Sequence, residues 1–144
     1  MREAIGGSML FYIVMTIIVL YIVFIAFIMN YASTYRAANY VVSQFEVCNG
    51  DLSGGCKDDV SGIVINDAKV CADIKNNYNY ADYIKYSCQD NNSGSVYRVG
   101  LGIEFNLPFV GNFKVSDIKV ETKTIYNVKC SDRPSVYGSC FRTE

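Results

Sequence analysis

Residues 9–29 read MLFYIVMTIIVLYIVFIAFIM, twenty-one positions without a charge, a proline or a glycine. Wound as a helix at ~1.5 Å per residue, the stretch matches the ~30 Å hydrocarbon core of a bilayer. A helix apolar on every face could instead be a protein core, but 144 residues are too few to wrap it on all sides. A cleaved secretory signal is the closer rival. Signal cores run ~7–15 residues and end at a small-residue site. This stretch is longer, its leader holds little basic charge, and the nearest such site, at Ala32, is poor. The reading is a transmembrane segment, preceded by a short leader, residues 1–8 (MREAIGGS), in which Ser8 is placed to cap the helix.

All six cysteines follow the apolar stretch: Cys48, Cys56, Cys71, Cys88, Cys130 and Cys140. An even number on one side of a span points to disulfides in an oxidising compartment. Zinc would need close pairs such as C-x-x-C, which are absent, so no metal site is expected. Six cysteines allow 15 pairings. Taking sequence neighbours as partners gives the expectation Cys48–Cys56, Cys71–Cys88 and Cys130–Cys140. Orientation follows from the cysteines: leader cytoplasmic, residues 48–144 extracellular, in a single-pass cell-membrane protein. Arg2 before the span and Arg36 after it add only weak positive-inside support.

The helical pattern does not stop at Met29. In residues 30–47, Tyr31, Tyr35, Ala38, Val42 and Phe45 recur in steps of four and three, an amphipathic stripe. Ser33, Arg36, Asn39, Ser43 and Glu46 take the other side. No glycine falls between Gly7 and Gly50, and Gly50 follows Asn49 as a terminator. One helix is therefore expected from about Ser8 to Val47, a span in its first half and a cover for a core in its second.

Residues 48–60 form a Gly/Asp loop without EF-hand spacing, and 61–66 a short strand. Asn66 is placed to cap a helix over 67–76. Tyr78, Tyr80, Tyr83 and Tyr86 then cluster, either as half-buried core or as a contact surface. Asn91-Asn92-Ser93 is an N-glycosylation sequon in a polar loop, which makes Asn91 an acceptor in a host that glycosylates. From Tyr97 the period becomes two: Tyr97, Val99, Leu101, Ile103, Phe105 and Leu107, then Ile118, Val120, Thr122, Thr124, Tyr126 and Val128. These are two strands, each with one buried face, joined by a wide turn over 108–117. Gly100 and Gly102 fall on the outward face. The fold class is α+β: a long N-terminal helix packed through Tyr31, Tyr35, Ala38, Val42 and Phe45 on a small antiparallel β-sheet stapled by disulfides.

Composition narrows the function. The chain has no histidine, which removes the commonest general base and transition-metal ligand. There is no phosphate loop and no nucleophile motif, so neither an enzyme nor a cofactor is expected. Residues 47–144 carry eleven Lys and Arg against twelve Asp and Glu, a balance that argues against a nucleic-acid partner.

Two segments carry a family resemblance: GGSMLFYIVMTIIVLYIVFIAFIMNYASTYRAANYVV and VGLGIEFNLPFVGNFKVSDIKVET, together about forty per cent of the chain. In order and spacing they resemble the type IV pilin superfamily, closest to the TadE/TadF-like pseudopilins of the tight-adherence pilus. The resemblance implies a structural subunit of an extracellular filament, or a pseudopilin of its assembly machinery, held in the membrane before assembly. Its partners would be the membrane and copies of itself or other pilin-like subunits, met through helix positions such as Leu10, Ile17, Ile18, Phe24 and Phe27. Processing would fall between Gly7 and Ser8; a chain numbered from Met1 favours an uncut N-terminus. The pattern departs at one place. The family's Glu at the fifth position after the cut is Tyr12 here, and no acid lies between Glu3 and Glu46. The alternative is a non-filamentous single-pass membrane protein whose disulfide-stapled outer domain binds a ligand or mediates adhesion.

Overall fold

The computed structural model describes residues 2–78, 84–107, 111–126, 128–132 and 140–143. Its elements are α1 (Arg2–Val47), β1 (Cys56–Lys57), β2 (Val64–Ile65), α2 (Asp67–Tyr78), β3 (Ile84–Asn91), β4 (Gly94–Leu107), β5 (Gly111–Glu121), β6 (Ile125–Tyr126), a 3-10 turn (Cys130–Asp132) and β7 (Phe141–Thr143). The chain divides into two compact units, Met1–Ala32 and Ser33–Glu144. The fold is α+β, a long N-terminal helix packed on small antiparallel sheets with disulfides.

Helix α1 starts at Arg2, so Ser8 lies inside it instead of capping it. Gly6 and Gly7 continue the hydrogen-bonded ladder although each glycine costs ~1 kcal/mol of helix propensity. The helix ends where the sequence indicates. The Gly50 amide donates to the Phe45 carbonyl at 2.8 Å, the six-to-one bond of a Schellman ending, and Gly50 adopts φ 80°. A Cβ there would also meet the Tyr97 ring at 2.6 Å, so two constraints select glycine.

The second unit builds its core on the last turns of α1. Thr34, Ala37, Ala38, Val41, Val42, Phe45 and Cys48 are buried. Ala38, Val42 and Phe45 of the expected stripe thus face the core, whereas Tyr31 and Tyr35 are each 48% exposed. At ~100° per residue the buried face centres on Thr34, Val41 and Phe45, and Tyr31 and Tyr35 sit ~60–100° to one side. Tyr31 belongs to the first unit, and Tyr35 lies off the buried face. Phe45 stacks on Tyr97 at 5.1 Å between ring centroids and on Tyr86 at 6.4 Å, with Phe141 edge-on at 5.8 Å.

The main sheet runs in the order β5-β4-β3-β7, with β6 also paired to β4. All of its pairs are antiparallel except β3–β7, which is parallel. Strand β3 occupies one edge of β4 from Gly94 to Gly100, so β5 and β6 follow one another along the other edge. The expected second strand is therefore two. Thr122 breaks it: its amide donates to the Tyr97 carbonyl at 2.9 Å, and its hydroxyl accepts from the Tyr97 amide at 3.0 Å. Past this break the alternation flips, so Ile125 is buried and Tyr126 exposed. Gly94 admits the returning strand, since a Cβ there would overlap the Ile125 carbonyl. Strand β5 begins at Gly111, which makes strand of residues 111–117 that sequence assigns to the turn; 108–110 lie outside the described residues. Its apolar pattern reads as loop only because the register shifts near Gly102, where Leu101 pairs Ile118 but Ile103 pairs Val115.

Strands β1 and β2 form a separate two-stranded sheet, and Asn66 caps α2, its side-chain oxygen accepting from the Lys69 amide at 2.8 Å. The disulfides are Cys48–Cys56, Cys71–Cys140 and Cys88–Cys130. The neighbour pairs Cys71–Cys88 and Cys130–Cys140 are therefore corrected. Parallel pairing of β7 beside β3 carries Cys140 to α2 and leaves Cys130 for β3. These bridges close loops of 69 and 42 residues. A chain-entropy argument credits each with about 4 kcal/mol of stabilisation.

Two outcomes follow. Ala38→Leu should destabilise the second unit by ~1–3 kcal/mol through overpacking, whereas Tyr35→Ser should stay within ~0.5 kcal/mol, measured by denaturant unfolding of the full chain in detergent. Mass spectrometry of a non-reducing digest should recover peptides joined through Cys71–Cys140 and Cys88–Cys130; fragments joining Cys71 to Cys88 would overturn the topology.

Candidate assembly surface

The first unit is a single helix whose described side chains carry no charge. Leu10 is 66% exposed, and Ile17, Ile18, Phe24 and Phe27 are exposed as well, in common with the residues around them. Leu10, Ile17 and Phe24 recur every seven residues and share one face, Phe27 flanks it, and Ile18 lies about a quarter-turn to the other side. Among the described residues the structure brings these five against no other element, and their exposure, shared with their neighbours, does not single them out. Gly7 and Ser8 are exposed within the helix.

The polar demand of this surface is small. Thr16 donates its hydroxyl to the Tyr12 carbonyl at 2.8 Å, so the one non-tyrosine hydroxyl of 9–29 is satisfied internally. Phe27 and Tyr31 stack at 6.4 Å. Such a helix suits an environment that asks for no hydrogen bonds, either lipid or the apolar faces of other helices. It is long and apolar enough to cross a membrane.

A second candidate lies on the other unit. A groove of about 280 Å³ is lined by Tyr40 and Gln44 of α1, Asp58, Ser61 and Ile63 of the β1–β2 connection, and Lys69 and Asp73 of α2. The Tyr40 hydroxyl donates to the Asp73 carboxylate at 2.7 Å. Burial, then the bond to and charge of Asp73, push the Tyr40 pKa up to about 12. Asp58 is shifted the other way, below the usual carboxylate range, by hydrogen bonds from the Ser61 hydroxyl and the Val60 amide. Both carboxylates thus hold protein donors. A tyrosine kept protonated next to a carboxylate is a rigid support.

The tyrosine cluster divides. Tyr86 belongs to the core, Tyr78 packs beside Tyr40 at 6.5 Å, and Tyr80 and Tyr83 lie outside the described residues. Asn91 ends β3, exposed, where a two-residue turn leads into β4. Cys88, Asp90 and Cys130 converge as ligands of a metal ion would, but the two sulfurs are bonded to each other, and Asp90 accepts the Cys130 amide at 2.8 Å. Sequence reading missed the Tyr40–Asp73 support; its signal is the register of Tyr40 on the groove side of α1 and Asp73 two turns into a capped helix.

Comparison with protein-family models, with curated proteins and with solved structures finds no match for this chain.

Raising the pH tests the support. Tyr40 binds its proton more tightly folded than unfolded, where the pKa is ~10. The contribution is complete below pH ~10 and is lost as pH rises toward about 12. In denaturant unfolding at pH 9 to 12, Tyr40→Phe should be less alkali-sensitive than the parent; identical slopes would refute the assignment.

Proposed function

We propose that the chain is a pilin-like structural subunit of an extracellular filament, or a pseudopilin of its assembly machinery, stored in the membrane by α1 with the second unit outside. The observation that carries this reading is the continuity of α1. One helix, Arg2–Val47, presents an exposed apolar surface through residues 9–29 and supplies the core of the second unit through residues 34–48. A plain anchor has no need of that continuity. A subunit that must leave lipid and pack among neighbouring helices gains from it, because one unbroken helix links the span to the folded unit. Transfer from lipid to other apolar helices exposes no polar group, since the chain holds no charge from residue 4 to residue 35.

Disulfides in the second unit support an exterior location. The groove beside Tyr40 favours the second reading, a single-pass protein whose outer unit binds a ligand there, but its carboxylates are already engaged.

Surface filaments sheared from cells and examined by electron microscopy and mass spectrometry should contain this chain. Ile17→Lys places a charge at mid-span and should cost ~2.5–3.5 kcal/mol of insertion. It should remove the chain from both membranes and filaments. A chain that remains monomeric in membranes, in cells that make no filament, would overturn the subunit reading.

A further inference from the structure

Asn91-Asn92-Ser93 is the one Asn-x-Ser/Thr triplet of the chain, and the fold decides how it is presented. Strand β3 begins in the core, with Ile84 and Tyr86 buried, and ends in solvent, with residues 89–91 exposed. Asn91 pairs Gly94 across the hairpin, so Asn92 and Ser93 form the turn itself, and both are exposed. Strand β7 accompanies β3 only from Ile84 to Tyr86. Among the described residues, therefore, no strand runs along the outer edge of β3 at Asn91. All three side chains of the triplet are reachable from solvent.

The stem of the hairpin is fixed. Cys88 is bonded to Cys130, and the Asp90 carboxylate accepts from the Cys130 amide at 2.8 Å. On the other edge of β4, Tyr126 pairs Gly94. Beside the turn a hollow of about 630 Å³ opens toward Val128 and Lys129. It has room for the first sugars of a chain attached at Asn91, and no described residue holds the Asn91 carboxamide. Turn chemistry alone accounts for Asn and Ser as residue types here. It does not account for a hydroxyl two positions after an exposed carboxamide, which is the pattern of an N-glycan acceptor.

We propose that Asn91 carries an N-linked glycan, transferred outside the membrane from a lipid-linked sugar phosphate donor. The Asn91 Nδ2 forms a bond to C1 of the first sugar as the bond from that carbon to the donor's phosphate oxygen breaks. The lipid phosphate leaves with the electron pair, and the Nδ2 proton passes to a base of the transferase. The Ser93 hydroxyl completes the triplet that such a transferase reads. The attached sugar is a hydrated bulk on the surface of the hairpin, and no core position has to move to accept it. The site rests on the exterior placement of the second unit proposed above, and not on filament formation.

The test is mass spectrometry of the full chain purified from its native membranes, with the cysteines alkylated before and after reduction. The peptide that holds Asn91 should be heavier than its sequence by whole sugar residues. Asn91→Gln and Ser93→Ala should each lower the modified fraction at least tenfold, whereas Ser93→Thr and Asn92→Gln, which keep the triplet, should retain it. All four variants should keep the three native disulfides, so that a lost glycan cannot be laid to a misfolded chain. An unmodified Asn91 peptide in the parent would overturn the site, as would a mass increment that survives Asn91→Gln. If that unmodified parent holds its three disulfides, the exterior placement stands and only the glycan fails; if its cysteines are thiols, both fail together. A glycosylated chain in cells that make no filament would sink the subunit reading and spare the site.

Discussion

The stacking of Phe45 on Tyr97 is the contact on which the second unit depends. Phe45 comes from the last turn of α1, Tyr97 and Tyr86 from adjacent strands, and Phe141 from the parallel strand at the sheet edge. Four elements far apart in sequence meet around one ring. Burial of such a side chain contributes roughly 1.5–3 kcal/mol, and offset aromatic pairs add ~0.5–1.5 kcal/mol each. The same contact dictates its neighbours. The Tyr97 ring closes over Gly50, so the helix must end with a residue lacking a side chain. The Tyr97 backbone holds Thr122 through both its amide and its carbonyl, and so fixes where β5 stops.

How much of this was legible follows from the range of each signal. The helix from the span to Val47, its glycine ending, the capped α2 and the buried alternation Tyr97, Val99, Leu101 are written in local periodicity, and they stand. What was not legible depends on residues distant in sequence. Ala37 and Thr34 look unremarkable beside Tyr31 and Tyr35 until the buried face of α1 is seen to centre on Thr34, Val41 and Phe45. Periodicity across 118–128 cannot show that Thr122 leaves the strand for Tyr97, nor that Gly94 lets Ile125 return. Neighbouring cysteines seem natural partners only until β7 inserts beside β3. Of the candidate surfaces, the apolar span is plain in the sequence, whereas the groove beside Tyr40 exists only in the packing, because Tyr40 and Asp73 are thirty-three positions apart.

The absence of acids from residue 4 to residue 45 has an energetic meaning beyond hydropathy. An ion pair buried among apolar helices would fix one axial position strongly, since breaking it leaves an uncompensated charge. Side chains such as Leu10, Ile17 and Phe24 offer only dispersion and shape, which repeat with each helical turn. In the proposed assembly, the span itself would specify axial alignment between neighbouring helices only weakly.

The position of the core on α1 also decides where the protein tolerates being cut. Thr34, Ala37, Ala38, Val41, Val42 and Phe45 are buried in the second unit although they belong to the same helix as the apolar stretch. A protease acting anywhere from Thr34 to Val47 would strip a wall from that core and expose Tyr97 and Tyr86 to water, whereas a cut among residues 30–33 would leave the wall in place. The zone in which a cut leaves the second unit intact is therefore about one helical turn long, next to the apolar stretch itself.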